Sequence, residues 1–460
     1  MQQKRFIQCL IMRSKNLKKY LLLLCLVTLL GLLVAQRDQI IFKFSKTITN
    51  PYLRFSKIEG LTEDLQENPN NNDNDLKVIG LSSNTNNEHS DNVTRSPATT
   101  TAKPPVLTTK TSKVTSKPSK SPSQPTKLKQ VSTTYSYLGD EYATDYTYLN
   151  SSCPNRTRDI LKNIEFKNIF LETIPVLQWK KHATQSEYRR LQRYLGSMGW
   201  MGVTWHILNE TLHMVNSSDA GYLFDNWKGR APCIRCAVVG NGGILNGSNM
   251  GAEIDSHDFV FRVNGATIEG FEKDVGNRTS FYVFSINTMM NSLNAYRKLG
   301  FKKVPRTPET HYLVLPDNER DYLLVRAALN KSVIDRGHDK NKRPSDFFGD
   351  NITMEHFKIL HPDFMRYLRN RFLWTPILNT KHRNIYRPTT GASMLLAAVH
   401  TCDQVSAYGF ITPNYAKFSD HYFDTTYKKV VFYMNHNFLK EQDLWQKLHK
   451  AGVIKLYMRD

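Results

Sequence analysis

Residues 236–254 read CAVVGNGGILNGSNMGAEI, and their order decides the fold class. Cys236 to Val239 is an apolar run of strand length, Gly240, Gly242 and Gly243 interrupt it, and a helical pattern resumes toward Ile254. A buried strand that turns through glycines into a short helix is one βα unit. Glycines there let the backbone approach a phosphate, and N–H groups at the helix start face it. Taken alone, the same glycines could simply make a tight turn, and GNGG lacks the GxGxxG spacing of a dinucleotide fold. Outward from this unit the alternation continues. Apolar and β-branched runs predict strands at Ala237–Gly240, Phe259–Val263, Ser280–Phe284, His311–Leu315, Lys358–Leu360, Val405–Tyr408 and Val453–Tyr457. Helices are predicted at Asn249–Ile254, Glu319–Leu329, Asp363–Phe372, Gly391–Thr401 and Phe438–Lys450, the last closed by Gly452. The expectation is a Rossmann-like α/β domain, a mostly parallel sheet flanked by helices, with ligands at the carboxyl ends of the strands.

The 460 residues are too uneven in composition to form one core. Tyr20 to Ala35 carries no charge and follows Lys4, Arg5, Arg13, Lys15, Lys18 and Lys19, so residues 1–19 read as a cytoplasmic tail and 20–35 as an uncleaved signal-anchor. Cleavage after Ala35 would leave Leu33 where a small residue is wanted. The short span suits the Golgi membrane, in a single-pass type II arrangement with the rest of the chain in the lumen. Residues 36–150 form the stem. Between about 62 and 135 it loses large apolar residues and becomes Asn/Asp-rich, then Ser/Thr/Pro/Lys-rich, and cannot offset its backbone entropy by burial. Disorder and O-glycosylation are expected there. The Asp73–Asp75 DND, a metal-holding pattern elsewhere, lies in that polar tract and is read as accidental. The globular texture of 151–460 marks one domain.

The formal net charge of +21 is scattered and comes with no nucleic-acid recognition motif, so no nucleic-acid partner is expected; an anionic small molecule fits the charge. In an oxidising lumen Cys153, Cys233, Cys236 and Cys402 should pair. The Cys233/Cys236 CxxC lacks a second CxxC or a paired histidine, which argues against zinc and for structural bridges. Sequons at Asn92, Asn150, Asn155, Asn209, Asn216, Asn246, Asn277, Asn330 and Asn351 agree with a luminal location.

By chemistry alone, Arg262, Asn264 and Arg278 at strand ends could be turn residues or surface charges. Together, however, RCAVVGNGG, EIDSHDFVFR, NGA and DVGNRTSFY within Cys236–Phe284 resemble the large motif of the animal sialyltransferases. Arg387 to Phe410 (RPTTGASMLLAAVHTCDQVSAYGF) resembles the small motif, His421–Asp424 the third, and His436 to Glu441 the very small motif, all in family order. CIRCAVVGNGGILN, YRPTTGA, CDQVSAYGFIT and FSDHYFDT are most similar to the α-N-acetylgalactosaminide α-2,6-sialyltransferases. The resemblance covers about Pro232 to Asp460 well and Ser151 to Ala231 more loosely.

The resemblance implies a GT-A-like variant fold, CMP-N-acetylneuraminate as donor, inversion at the anomeric carbon, no metal or other cofactor, and O-glycosylated glycoproteins as acceptors. It carries Asn241 and Asn264, with Ser285 beyond them, onto nucleotide-contacting positions. Thr389, Thr390 and Gly391 open a helix whose N–H groups suit the sialyl carboxylate or the phosphate. His421 would donate to the departing CMP, and His436 would take the proton from the acceptor hydroxyl, since an imidazole titrates near neutrality. Glu441 is expected to buttress the site. The resemblance further implies a Cys236–Cys402 bridge, which leaves Cys153 with Cys233. Two other readings stay open: a sialyltransferase acting on galactose of other glycans, and a mucin-like membrane protein or lectin without turnover.

Overall fold

The computed structural model describes residues 139–148, 151–163, 165–224 and 232–460, all within the unit Gln124–Asp460. The expected anchor at 20–35, the stem up to residue 138 and the DND at 73–75 lie outside the described residues. Among those described, no helix is long and apolar enough to cross a membrane.

In chain order the elements are α1 (Thr157–Asn163), α2 (Gln185–Leu191), α3 (Trp205–Met214), β1 (Arg235–Val239), α4 (Gly251–Asp255), β2 (Phe259–Val263), α5 (Glu272–Val275), β3 (Phe281–Phe284), α6 (Ile286–Ala295), β4 (His311–Val314), α7 (Glu319–Leu329), α8 (Pro344–Phe348), β5 (Phe357–Ile359), α9 (Pro362–Tyr367), α10 (Thr390–Thr401), β6 (Gln404–Tyr408), α11 (Phe438–Lys450) and β7 (Lys455–Leu456). The seven strands form one sheet in the order β5-β4-β3-β2-β1-β6-β7, and every pairing is parallel. The fold is α/β, as expected. Successive strands run from β1 to one edge, and the chain then returns to pair β6 on the other side of β1. That reversal is a topological switch point, and the crevice beyond the carboxyl ends of β1 and β6 is where such sheets bind ligands.

Period-2 alternation sends residues to two cores. Cys236, Val238, Phe261, Phe281, Val283 and Leu313 face a layer that includes α10 and α11. Tyr282, Phe284, Tyr312 and Val314 face the layer of α3, α6 and α7. Helix α10 is buried along nearly its whole length, which its TGASMLLAAVHT sequence permits because small and apolar residues surround the axis. Asn318 caps α7 by accepting from Arg320 N (2.9 Å), and Asn437 caps α11 by accepting from Lys440 N (3.0 Å).

Cys153–Cys233 and Cys236–Cys402 are both bridged. The CxxC is therefore split between two structural disulfides. The domain's contacts include residues ahead of the expected start at Ser151: Arg366 donates to the carbonyls of Gly139 (3.2 Å) and Glu141, and lies 4.8 Å over the Tyr142 ring. Tyr148 stacks on Tyr222 with ring centroids 5.4 Å apart. Those aromatics give the segment surface to bury that the preceding polar tract lacks.

Candidate active site at the switch point

A cavity of about 390 Å³ opens beyond the ends of β1 and β6. Its wall includes the Gly240–Gly243 loop, Asn264, the start of α10, His421, His436 and Glu441. Four sequence blocks spread over about two hundred residues thus meet in one hollow.

The glycine loop acts differently from the phosphate cradle considered above. Gly240 N donates to Tyr408 O (2.8 Å), Gly242 N to Gly409 O (3.0 Å) and Gly243 N to Ser419 O (3.2 Å), so these N–H groups serve the protein. A Cβ on Gly240 or Gly242 would lie 2.6 or 2.7 Å from Gly409 O, and one on Gly243 would overlap Ser419 O. The glycines let the loops after β1, β6 and the 3-10 turn at Tyr415–Lys417 touch backbone to backbone, and so present Asn241 to the cavity. Gly243→Ala is expected to destabilise the protein by about 1–3 kcal/mol, the usual cost of overpacking, with a matching fall in thermal midpoint; a neutral variant would disprove the close approach.

Asn241 Nδ2 donates to Val263 O (3.2 Å), while its Oδ1 is buried without a partner. Asn264 sits at φ +51° directly after β2, its N–H donating to Val283 O (3.1 Å), and its Oδ1 is likewise buried and unpaired. Each orphaned acceptor costs roughly 1–3 kcal/mol unless a ligand donates to it. Ser285 is placed elsewhere. Its hydroxyl accepts from Thr288 N (3.2 Å) as the cap of α6, and it is not among the lining residues, whereas Thr288 is.

Thr389 caps α10 by accepting from Ala392 N (2.9 Å) and holds Glu441 through its N–H to Oε1 (2.9 Å) and its hydroxyl to Oε2 (2.8 Å). Thr390 and Gly391 start the helix on the cavity wall. Among the described residues no Lys or Arg lines the cavity, so anion attraction there comes from the helix start, polar groups and histidines. Burial pushes the Glu441 carboxyl up to about 7.

His436 Nδ1 donates to Arg387 O (2.9 Å), which fixes the tautomer and makes Nε2 the acceptor nitrogen, where the Asn435 Nδ2 amide donates to it at 3.2 Å. Arg387 is itself held by both carboxylate oxygens of Asp317 at 2.9 Å. Burial lowers the His436 imidazole to about 4. His421 stacks on Phe423 at 5.0 Å; its peptide N–H donates to Asp424 (2.8 Å) and its Nδ1 lies 3.4 Å from Asp420. With Nδ1 turned to that carboxylate, Nε2 is the remaining ring nitrogen, a donor when both nitrogens carry protons.

Sequence reasoning missed the Asp317–Arg387 support. Its partners lie 70 residues apart and Asp317 carries no local signal. Far from the cavity, Glu187, His361 and Asp363 place ligand-type atoms within 4.8 Å of one another, but Arg190 and Arg366 already bind these carboxylates and His361 Nδ1 accepts from Asp363 N. Arginine charge satisfies that cluster.

Burial also holds His182 to about 4, His400 to about 3 and His361 well below its usual range. With His436 these are four imidazoles whose folded values lie below the unfolded one near 6.5. Unfolded chains therefore bind protons that the native state refuses, and the stability present above about pH 6.5 falls as pH drops toward 4, by about 1.4 kcal/mol per pH unit for each histidine. Asp321 and Glu441, raised by burial to about 6 and 7, act with opposite sign and offset part of the slope. Denaturant midpoints between pH 7 and 4.5 should fall; a rise would contradict this set of buried histidines.

Comparison with known proteins identifies the family. The profile described as glycosyltransferase family 29 (sialyltransferase) matches residues 177–453, more than half of the chain. The chain is 49% identical over 301 residues to α-N-acetylgalactosaminide α-2,6-sialyltransferase 2 from Homo sapiens, covering 65% of this chain and 80% of the relative. With α-N-acetylgalactosaminide α-2,6-sialyltransferase 1 from Homo sapiens it shares 40% identity over 333 residues, covering 70% of this chain and 54% of the relative. A crystal structure of a mammalian sialyltransferase aligns over 67% of this chain and 98% of that chain, with a TM-score of 0.47 and 24% identity.

Proposed function

The chain belongs to glycosyltransferase family 29, the sialyltransferases, and we propose that it transfers sialic acid from CMP-N-acetylneuraminate to the 6-hydroxyl of O-linked GalNAc on mucin-type glycoproteins. The observation that carries this reading is the single cavity at the switch point, which gathers two unpaired amide oxygens, a helix start and two imidazoles. Similarity to relatives named for α-2,6 transfer to N-acetylgalactosaminide supports the linkage and the acceptor. A signal-anchor at 20–35 would hold the catalytic domain in the Golgi lumen, in keeping with two disulfides.

In this mechanism Asn241 and Asn264 accept hydrogen bonds from the nucleotide, and the start of α10 receives the sialyl carboxylate or the phosphate. Acceptor O6 attacks C2 of the sialyl group while the bond from C2 to the phosphate oxygen breaks, through an oxocarbenium-like state and with inversion. The O6 proton passes to His436 Nε2. His421 donates to the phosphate oxygens of departing CMP. Every role falls to the chain's own groups, so no metal is required. Catalysis rests on positioning and on donors aimed at the leaving group. Val430, Val431 and Tyr433 wall the cavity just before His436, and exposed Phe432 and Met434 extend that apolar rim, which supports acceptor entry from this side.

A transfer assay with CMP-sialic acid on glycopeptides bearing GalNAc, Galβ1-3GalNAc or its sialylated form, with linkage analysis, tests the proposal. Product on GalNAc O6 is expected. Product only on galactose would replace the acceptor assignment, and CMP binding without transfer would favour the non-catalytic alternative.

A further inference from the structure

We propose that Glu441 is a positioning residue that takes up a proton when CMP-sialic acid binds, and that this proton turns the Thr389 hydroxyl into a donor for the ligand. The inference rests on the donor assignment above. Glu441 lines the cavity yet is only 4% exposed, and both of its oxygens are bonded to Thr389 alone. Thr389 also lines the cavity.

A hydroxyl has one hydrogen and two acceptor positions. In the structure Thr389 Oγ1 accepts from Ala392 N and spends its hydrogen on Glu441 Oε2. A protonated Oε2 reverses that bond. The carboxylic acid then donates to Oγ1, and the Thr389 hydrogen is free to point at an anionic oxygen at the start of α10. Thr389 N–H stays on Oε1 in both states. Bringing the phosphodiester and carboxylate of the donor against a buried carboxylate favours the neutral form. A residue that already ionises reluctantly makes this uptake small in cost near neutral pH.

The charged and titratable neighbours leave this role to Glu441. On the preceding segment Arg387 is engaged by Asp317, and Tyr386, raised by burial and then by Glu441, stays a phenol. The first turn of α10 and the Phe410–Thr412 loop contribute no titratable group. His436, Asp420 and His421 also line the cavity. Variants at Glu441 separate its proton from theirs.

Calorimetry of CMP-sialic acid binding to the full chain, near pH 7 and in buffers of different ionisation heat, reads the proton directly. The ligand's phosphodiester and carboxylate stay ionised there, so uptake comes from the protein. Wild type should take up part of a proton, and its affinity should weaken toward higher pH, by up to about tenfold per pH unit. Glu441→Gln should lose that uptake and bind at pH 8 at least as tightly as wild type, because a Gln amide N–H permanently donates to Thr389 Oγ1. A merely structural role predicts weaker binding at every pH, and that result overturns the proposal. Unchanged uptake in the variant also overturns it. Should Glu441→Gln not fold, infrared difference spectra of wild type decide: a protonated-carboxyl band must appear on binding, and its absence refutes the idea. Binding without proton uptake sinks this inference alone, whereas no binding of CMP-sialic acid at any pH sinks the donor assignment as well.

Discussion

His436→Ala is expected to lower turnover by about 10²–10⁴ while CMP binding and the thermal midpoint change little. The geometry separates these effects. His436 Nδ1 is committed to Arg387 O, so the ring's basic nitrogen is Nε2, which accepts from the Asn435 amide. Arg387 keeps its pair with Asp317 when the ring is removed, so the wall behind it survives. Loss of a proton acceptor acts on the transition state, which places the effect in kcat with the affinity for CMP near wild type. Burial lowers the imidazole to about 4, and a bound anion favours its protonated form. The acid limb of kcat should therefore lie at higher pH than that of kcat/KM. Near-normal turnover in the alanine variant would remove His436 from the mechanism.

The second large effect is on stability. Cys236–Cys402 joins β1, beside the glycine loop, to the end of α10, across a sequence separation of 166. In the chain-entropy account, closing so long a loop contributes about 5 kcal/mol. That is a large share of the roughly 5–15 kcal/mol typical of folded proteins. Replacing both cysteines by alanine should lower the denaturation midpoint strongly and weaken CMP binding, because the loop after β1 and the start of α10 both line the cavity. Removing Cys153–Cys233, whose separation is 80, should cost somewhat less and leave CMP affinity closer to wild type. Equal loss of affinity in the two double variants would contradict the link between bridge and cavity.

Elements with strong local patterns were legible at residue level. β2 (Phe259–Val263), α7 (Glu319–Leu329) and α11 (Phe438–Lys450) have the bounds that their sequences predict. FVFRV is buried throughout, and α11 ends where Gly452 adopts φ +76°. Weak patterns failed. α6 reads INTMMNSLNA, too polar to mark a core helix, and Ser285, which the resemblance implies as a nucleotide contact, caps it. α3 was missed, and β7 shortens from five expected residues to two, because Val453 and Ile454 are buried without joining the ladder.

For the site, the motif blocks singled out Asn241, Asn264, Thr389–Gly391, His421 and His436 before any geometry, and all line one cavity. Their chemical states were not legible. Which nitrogen of His436 is basic depends on a carbonyl 49 positions away, and what Glu441 holds depends on Thr389, 52 positions away. The GNGG turn was correctly placed, but its purpose lies in Gly409 and Ser419.

By itself the sequence determined the parallel α/β plan and the residue types of the site, because alternation, breakers and caps act over a few neighbouring residues. Tertiary structure decided tautomers, unpaired acceptors and the burial that shifts His436 and Glu441 in opposite directions. Those properties arise from desolvation and from contacts between distant segments, and the local pattern of a chain encodes neither.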